Sequence, residues 1–210
     1  MALAAWEIAL PPPHLCQGVR SPPTPALLAV GNFSFKNITI ETRYAFGTQW
    51  WGSGEALVVT SIPENPAQMA HGLPGIHGVV FEDIQATAEG GCLFSSQGQD
   101  TTAPHAIDGL VLRNVNLAIG RSAGAATHPQ LDYRPVDAGG GAPNTVAADV
   151  VGLVFAGVAG AVIEGGSVSF VGPPQPYWAG PGHVGLCVAQ RQSANVTLTG
   201  MTCTLAAASD

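Results

Sequence analysis

Charged side chains are scarce in this 210-residue chain, at 10% of residues, where globular domains average about a quarter. Lys36 is the one lysine. So few cations exclude a basic surface that could neutralise nucleic-acid phosphates, and the net charge of -7 agrees with that exclusion. The shortage of charge also disfavours amphipathic helices, because their outward faces need charged residues.

Long apolar runs are missing too, and no stretch reaches the roughly 20 residues that a membrane-spanning helix needs. The first ten residues are apolar, but they contain Glu7 and lack a basic start, so they make a poor signal peptide. Three N-x-S/T sequons, at Asn32, Asn37 and Asn195, weakly favour a secreted or cell-wall location. We expect no nucleic-acid partner and no membrane partner.

Cysteine is sparse, with four residues whose spacing fits no metal site. Cys92, Cys187 and Cys203 lie in apolar strand-like runs, which favours buried free thiols. A Cys187–Cys203 bridge is the open alternative. The histidines, His77 among them, stand in expected loops without ligand spacing, so we expect no metal and no cofactor.

Glycine and proline are abundant, at 27 and 17 residues. Prolines clustered within residues 11–13 and 22–25 disfavour regular helix and central strand. Residues 1–30 are therefore predicted to form an extended or disordered leader. Residues 31–210 are enough for one domain with a buried core.

A short unit recurs from Asn32 onward, in which alternating apolar positions flank a turn residue. The turn residue is Asn37, Asp83 and Asn114 in the first three copies. Asn and Asp tolerate a left-handed backbone at such a turn and can hydrogen-bond along a stack. The apolar positions of the five copies are Phe33, Phe35, Ile38 and Ile40; Val79, Phe81 and Ile84; Leu110, Leu112, Val115 and Leu117; Ala161, Ile163 and Val168; and Val196, Leu198, Met201 and Cys203.

Further short strands are predicted at residues 57–60, 92–95, 151–156 and 184–189. The last two have matching sequences with an offset of 33 residues. Short strands that recur at such intervals, without helix, predict a solenoid. We expect an all-β fold, a right-handed parallel β-helix. A β-sandwich is the rival, but its strands should alternate over longer spans and lack a common period.

Trp50 and Trp51 are adjacent, so on a strand they point to opposite sides and at least one lies on a surface or groove. Gly52 and Gly54 allow a sharp turn before Glu55. An aromatic shelf beside a carboxylate suits the binding of a sugar. The alternative is that the indoles cover a loop and that Glu55 orients a neighbouring arginine.

A second candidate segment contains Asp132, Tyr133 and Arg134. On an extended segment Asp132 and Arg134 share one face. Arg134 could then hold the carboxylate of a uronic acid with two hydrogen bonds. A salt bridge that pins this insert to the rest of the fold is the alternative.

These segments carry a resemblance to a known family. From about residue 32 to 205 the chain resembles the C-terminal half of glycoside hydrolase family 28, the polygalacturonase group. The matching segments are residues 38–43 (Ile-Thr-Ile-Glu-Thr-Arg), 50–55 (Trp-Trp-Gly-Ser-Gly-Glu), 60–63 (Thr-Ser-Ile-Pro), 80–84 (Val-Phe-Glu-Asp-Ile) and 132–135 (Asp-Tyr-Arg-Pro). The resemblance implies a parallel β-helix that binds pectin-type polysaccharide, and we expect a monomer.

The catalytic motifs of that family are absent from this sequence. The family hydrolyses glycosidic bonds with inversion, using aspartates of an Asn-Thr-Asp stretch and an Asp-Asp pair, with Gly-His-Gly and Arg-Ile-Lys completing the site. An inverting hydrolase needs two carboxyl groups roughly 6.5–9.5 Å apart, one of them protonated. We therefore expect an N-terminally truncated fragment that has no catalytic residues and is inactive alone. A non-catalytic carbohydrate-binding or structural β-helix is the alternative.

Overall fold

The structure of the chain is a computed structural model, and it describes residues 7–8, 29–42, 54–61, 75–96, 106–120, 130–132, 145–147, 151–171 and 186–204. These residues form strands and turns, with no helix among them, which confirms the predicted all-β class. The strands are β1 Glu7–Ile8, β2 Ala29–Gly31, β3 Ser34–Glu41, β4 Leu57–Thr60, β5 Gly75–His77, β6 Val80–Ala88, β7 Cys92–Ser95, β8 Ile107–Asp108, β9 Val111–Ile119, β10 Gln130–Asp132, β11 Thr145–Ala147, β12 Val151–Ala156, β13 Val158–Ala159, β14 Val162–Glu164, β15 Ser167–Phe170, β16 Leu186–Arg191, β17 Thr197–Thr199 and β18 Thr202–Thr204.

Three parallel sheets contain every described strand except β10 and β11, which pair antiparallel with each other. Sheet 1 has the order β1-β4-β7-β12-β16, and sheet 2 has the order β2-β5-β8-β13. Sheet 3 holds β3, β6 and β9, followed by the two-part strands β14 with β15 and β17 with β18. Along the chain, a sheet 2 segment is followed by a sheet 3 segment and then by a sheet 1 segment. We call each such round of the chain a rung.

Each sheet 3 segment bends at a residue with a left-handed backbone. The φ angle is 55° at Asn37 and Asp83, 49° at Asn114, 67° at Gly165 and 68° at Gly200. The left-handed turn predicted for the first three is therefore confirmed. The predicted bonding along the stack is confirmed as well, because Asn114 Nδ2 donates to Asp83 Oδ1 at 2.7 Å.

The core consists of apolar side chains stacked from rung to rung. In sheet 3 the backbone pairing aligns Phe35, Phe81, Leu112, Ile163 and Leu198 in one row. The exposed fraction is 1% for Leu112 in the third rung and 42% for Leu198 in the last. Burial of these rows is the main stabilising force, because apolar area removed from water contributes roughly 25 cal/mol per Å².

Aromatic rings continue this stacking on the inward faces of sheets 1 and 3. The ring centroids of Phe35 and Phe81 are 5.1 Å apart, and those of Phe94 and Phe155 are 5.3 Å apart. Phe94 and Phe155 are fully buried. Both pairs have nearly parallel rings, as residues at the same position of adjacent parallel strands must when they share a rotamer.

The pairing of the last two sheet 1 strands differs by two residues from the offset of their matching sequences. Val151 pairs with Leu186, an offset of 35 rather than 33. The same offset of 35 residues joins Val162 to Thr197 in sheet 3, so the last two rungs have the same length in both sheets. A two-residue slip keeps every side chain on the same face of a strand, so the apolar pattern could not distinguish the two registers. The observed strand ends at Arg191, and residues 184–185 lie outside the described residues.

Cys187 and Cys203 form a disulfide, with their Cα atoms 5.9 Å apart. The expectation of free thiols is wrong for this pair, and the bridged alternative is correct. Cys187 belongs to β16, the sheet 1 strand of the fourth rung, and Cys203 to β18, a sheet 3 strand of the last rung, so the bond joins two rungs as well as two sheets. Cys92 is free and buried, as expected.

Two parts of the predicted leader, residues 1–30, belong to the sheets. Strand β1 pairs with β4, placing Glu7 opposite Val58 and Ile8 opposite Val59. Strand β2, which begins at Ala29, is the first strand of sheet 2. The other residues of the leader lie outside the described residues.

Substitutions at two adjacent glycines can test how the fourth rung packs against the third. Gly165 and Gly166 both have positive φ, but only at Gly166 would a Cβ atom overlap the backbone oxygen of Val115. We expect Gly165→Ala to cost about 1–2 kcal/mol through backbone strain alone. Gly166→Ala should cost more, because β9 must also shift. Urea unfolding of both variants measures the difference, and equal losses would contradict this packing.

The disulfide makes a second testable contribution to stability. The two cysteines are 16 residues apart in sequence, and a loop of that size is worth about 3 kcal/mol when it is closed. We expect the double variant Cys187→Ser, Cys203→Ser to lose that amount in urea unfolding. Reducing agent should destabilise the parent protein equally and leave the double variant unchanged. Alkylation of Cys187 or Cys203 without prior reduction would show that the bond is absent.

Candidate functional site

Glu55 is the one predicted site residue whose side chain the structure describes. It lies between Gly54 and Ala56, immediately before β4, and only 5% of it is exposed. The turn is held by Gly54, whose carbonyl accepts hydrogen bonds from the Thr42 hydroxyl at 2.6 Å and from the Gly90 backbone at 2.9 Å. Gly54 takes a φ of 81°, which explains a glycine at this place.

The other predicted site residues are not brought together with Glu55 by the described coordinates. Trp50, Trp51, Tyr133 and Arg134 lie outside the described residues. Asp132 is the last residue of β10, where its backbone pairs with Thr145 of β11. The sugar-binding groove built from these residues stays a prediction, and so does the role of Glu55 in it.

Glu55 has a buried neighbour that the sequence did not connect to it, the free thiol of Cys92. Burial raises the pKa of Cys92 to about 12, a backbone hydrogen bond from Leu57 opposes this, and the charge of Glu55 raises the pKa further. Cys92 begins β7, directly beside Leu57 of β4. A thiol held neutral in this way is a poor nucleophile, so we assign Cys92 to packing.

The outer face of sheet 3 presents a row of charges that alternate in sign. Register places Lys36, Glu82, Arg113 and Glu164 side by side on four successive rungs. Lys36 Nζ lies 2.9 Å from Glu82 Oε2, and Arg113 Nε donates to Glu164 Oε2 at 2.7 Å. The hydrogen bond to Glu164, followed by the charge of Glu164, raises the pKa of Arg113. Each of these carboxylates therefore has a basic partner.

A chain of hydrogen bonds runs beside the charge row. Asn116 Nδ2 donates to Asn114 Oδ1 at 2.9 Å, and Ser167 Oγ donates to Asn116 Oδ1 at 2.8 Å. Together with the Asn114–Asp83 bond, this chain crosses β6, β9 and β15. These amides, hydroxyls and carboxylates offer donors and acceptors along the outer face, and such groups can hydrogen-bond the hydroxyls of a sugar.

Sheet 2 carries a histidine–aspartate pair on its outer face. His77 Nδ1 lies 2.7 Å from Asp108 Oδ1, and both side chains are about half exposed. The imidazole folds back over Gly75, where a Cβ atom would overlap Nε2. An aspartate that fixes one ring nitrogen orients the other for hydrogen bonding or proton transfer.

The loop position predicted for His77 is thus wrong, because it is the last residue of strand β5. The signal that could have found the pair was present in the sequence. An offset of 31 residues joins Phe81 to Leu112 and also joins His77 to Asp108. Extending the known offset across the turn would have placed the two residues together.

Comparison of the chain with protein-family models, with curated proteins and with solved structures found no match. No group of three or more His, Cys, Asp or Glu side chains that could hold a metal ion occurs among the described residues. Within the same ranges the structure has no helix with the length and apolar character of a membrane span.

The raised pKa of Cys92 predicts a loss of stability in alkali. The thiol ionises at about 12 when folded and near 9.0 when unfolded, so the unfolded state binds fewer protons above pH 9. Between pH 9 and 12, the contribution of Cys92 to the free energy of unfolding should fall by up to about 1.4 kcal/mol for each pH unit. Urea unfolding between pH 8 and 10.5 should show a smaller slope for Cys92→Ala than for the parent protein. Identical slopes would contradict the assignment.

Proposed function

We propose that this chain forms the C-terminal rungs of a right-handed parallel β-helix of the polygalacturonase-like kind. One observation carries the proposal: the three parallel sheets, each of which receives one segment per rung in a constant order. A β-sandwich would pair its strands antiparallel, whereas every described pair in sheets 1, 2 and 3 is parallel. The resemblance to glycoside hydrolase family 28 implies the same scaffold.

On this proposal the protein binds pectin-type polysaccharide. The proposed binding residues are Trp50, Trp51, Glu55, Asp132, Tyr133 and Arg134. The indoles would stack on pyranose faces, and Arg134 would hold a uronate carboxylate. The secreted or cell-wall location proposed for the protein is where such a polymer is met, and the disulfide is weakly consistent with it.

This chain by itself would not hydrolyse the polymer. Inverting hydrolysis needs one carboxyl group that is protonated and one that is free to activate water. Among the described outward-facing carboxylates, Glu82 and Glu164 are paired with cations, Asp83 with Asn114, and Asp108 with His77. These pairings hold the side chains in place on the surface, which favours the proposed contribution to binding over acid–base chemistry.

A non-catalytic carbohydrate-binding or structural β-helix is the second candidate. The same pairing of the outer carboxylates favours this candidate, because polar side chains that bond to one another need no catalytic role to explain their presence. The two candidates differ in whether hydrolysis returns when rungs that carry the family motifs Asn-Thr-Asp, Asp-Asp and Gly-His-Gly are joined before residue 32.

Binding is tested by titrating the chain with oligogalacturonates in a calorimeter, next to a neutral glucan oligomer. We expect binding of the oligogalacturonate alone. Trp50→Ala and Trp51→Ala should each weaken it roughly 2–12-fold, since an aromatic contact contributes about 0.5–1.5 kcal/mol. Phe33→Ala is the matched control, because Phe33 is an exposed aromatic outside the proposed site. Equal affinity for both polymers would contradict the proposal.

Hydrolysis is measured on the same samples as reducing ends released from polygalacturonate. We expect none from the unaltered chain. Turnover by this chain would show that it contains an acid–base pair, and it would overturn the proposal that the chain binds the polymer without hydrolysing it.

A further inference from the structure

Two of the three sequons occupy the same turn at opposite ends of the fold. The turn between sheet 2 and sheet 3 recurs in every described rung, and one residue at the same position of each turn has a left-handed backbone. The φ angles are 62° at Asn32, 62° at Gly78, 61° at Gly109, 67° at Gly160 and 54° at Asn195. The pairing of adjacent residues fixes this alignment, as Gly31 pairs with His77 and Ala159 with Ala194. Asparagine thus stands in the first and last rungs, and glycine in the three between them.

Crowding between rungs contributes at Gly78 and Gly109 but not at Gly160, where a Cβ atom would lie 3.8 Å from its nearest neighbour. A Cβ atom on Gly109 would lie 3.3 Å from the backbone nitrogen of Gly78, and one on Gly78 would lie 3.1 Å from Asn32 Oδ1. Glycine also adopts a positive φ without strain. The turn itself therefore favours glycine, and asparagine, which also tolerates a left-handed backbone, stands there in the first and last described rungs.

The end asparagines have what an attached glycan requires. Asn32 and Asn195 are both exposed, and so are Ser34 and Thr197, the hydroxyl residues of their sequons. Asn37, the third sequon, differs from them. Its row continues with Asp83 and Asn114, which bond to each other, so polar side chains in that row already have a structural explanation.

We propose that Asn32 and Asn195 are the acceptors of N-linked glycans, one at each end of this turn row. In the transfer, the side-chain amide nitrogen bonds to the anomeric carbon of a lipid-pyrophosphate-linked oligosaccharide. The bond from that carbon to the pyrophosphate oxygen breaks, and the amide loses one proton. The glycans then project from the exposed turns of the first and last described rungs.

The experiment uses the full chain, directed into the secretory pathway of a eukaryotic host and recovered from the medium. Trypsin separates the three sequons, because cleavage after Lys36, Arg43 and Arg191 puts Asn32, Asn37 and Asn195 in different peptides. Release of glycans in heavy-oxygen water by an amidase converts each modified asparagine to labelled aspartate. We expect the label at Asn32 and at Asn195. Unlabelled peptides at both positions, from a host that modifies a co-secreted reporter, would overturn the proposal.

Variants separate the modification from the fold. Ser34→Ala and Thr197→Ala should each remove one glycan, whereas Ser34→Thr and Thr197→Ser should keep it. Asn32→Gly and Asn195→Gly should also remove one glycan each and preserve the unfolding midpoint of the deglycosylated protein, since glycine holds this turn in the middle rungs. Translation in the presence of microsomes should give the same mass shifts, because the glycan is attached before the chain folds. A variant that cannot fold therefore still shows whether its sequon is glycosylated. Unchanged mass in Ser34→Ala or Thr197→Ala would overturn the assignment at that site.

Discussion

Backbone hydrogen bonding between successive rungs is the constraint on which the rest of the structure depends. The same contact recurs in equivalent places: the amides of Val111, Val162 and Thr197 donate to the carbonyls of Val79, Leu110 and Ala161 at 2.8–2.9 Å. Because parallel strands hold every residue beside its equivalent in the next rung, one choice of register decides all neighbours at once. Phenylalanine rings therefore stack on each other in the core, and acidic side chains pair with basic ones on the outer face of sheet 3.

Middle rungs and end rungs face different physical demands. A middle rung has a neighbour on each side, so Leu112 is buried and a Cβ atom on Gly109 would lie only 3.3 Å from the backbone of Gly78. In the last described rung Leu198 is substantially exposed. The Cys187–Cys203 disulfide ties sheet 3 of this rung to sheet 1 of the fourth rung. The turn between sheets 2 and 3 holds asparagine in the first and last described rungs, at Asn32 and Asn195, and glycine in the rungs between them.

The described outer face of sheet 3 carries charged side chains that are paired with each other. Its ionisable groups are bonded to each other across rungs, as in the Arg113–Glu164 pair. The buried Cys92 is neutral over the physiological range, because its pKa is raised to about 12. These features support a proposed role in polysaccharide binding by a scaffold whose chemistry would come from elsewhere. They leave the His77–Asp108 pair as a further oriented polar group on a different sheet.

The sequence by itself determined the all-β class, the apolar rows and the left-handed turns at Asn37, Asp83 and Asn114, because these depend on local alternation and on backbone conformations that few residues accept. The 31-residue offset in the sequence was also enough to bring His77 beside Asp108. Only the tertiary structure decided the offset of 35 between β12 and β16 and the Cys187–Cys203 bond. Each of these depends on distances between residues far apart in the chain. A two-residue slip conserves the pattern of faces, so no local pattern could have fixed those distances.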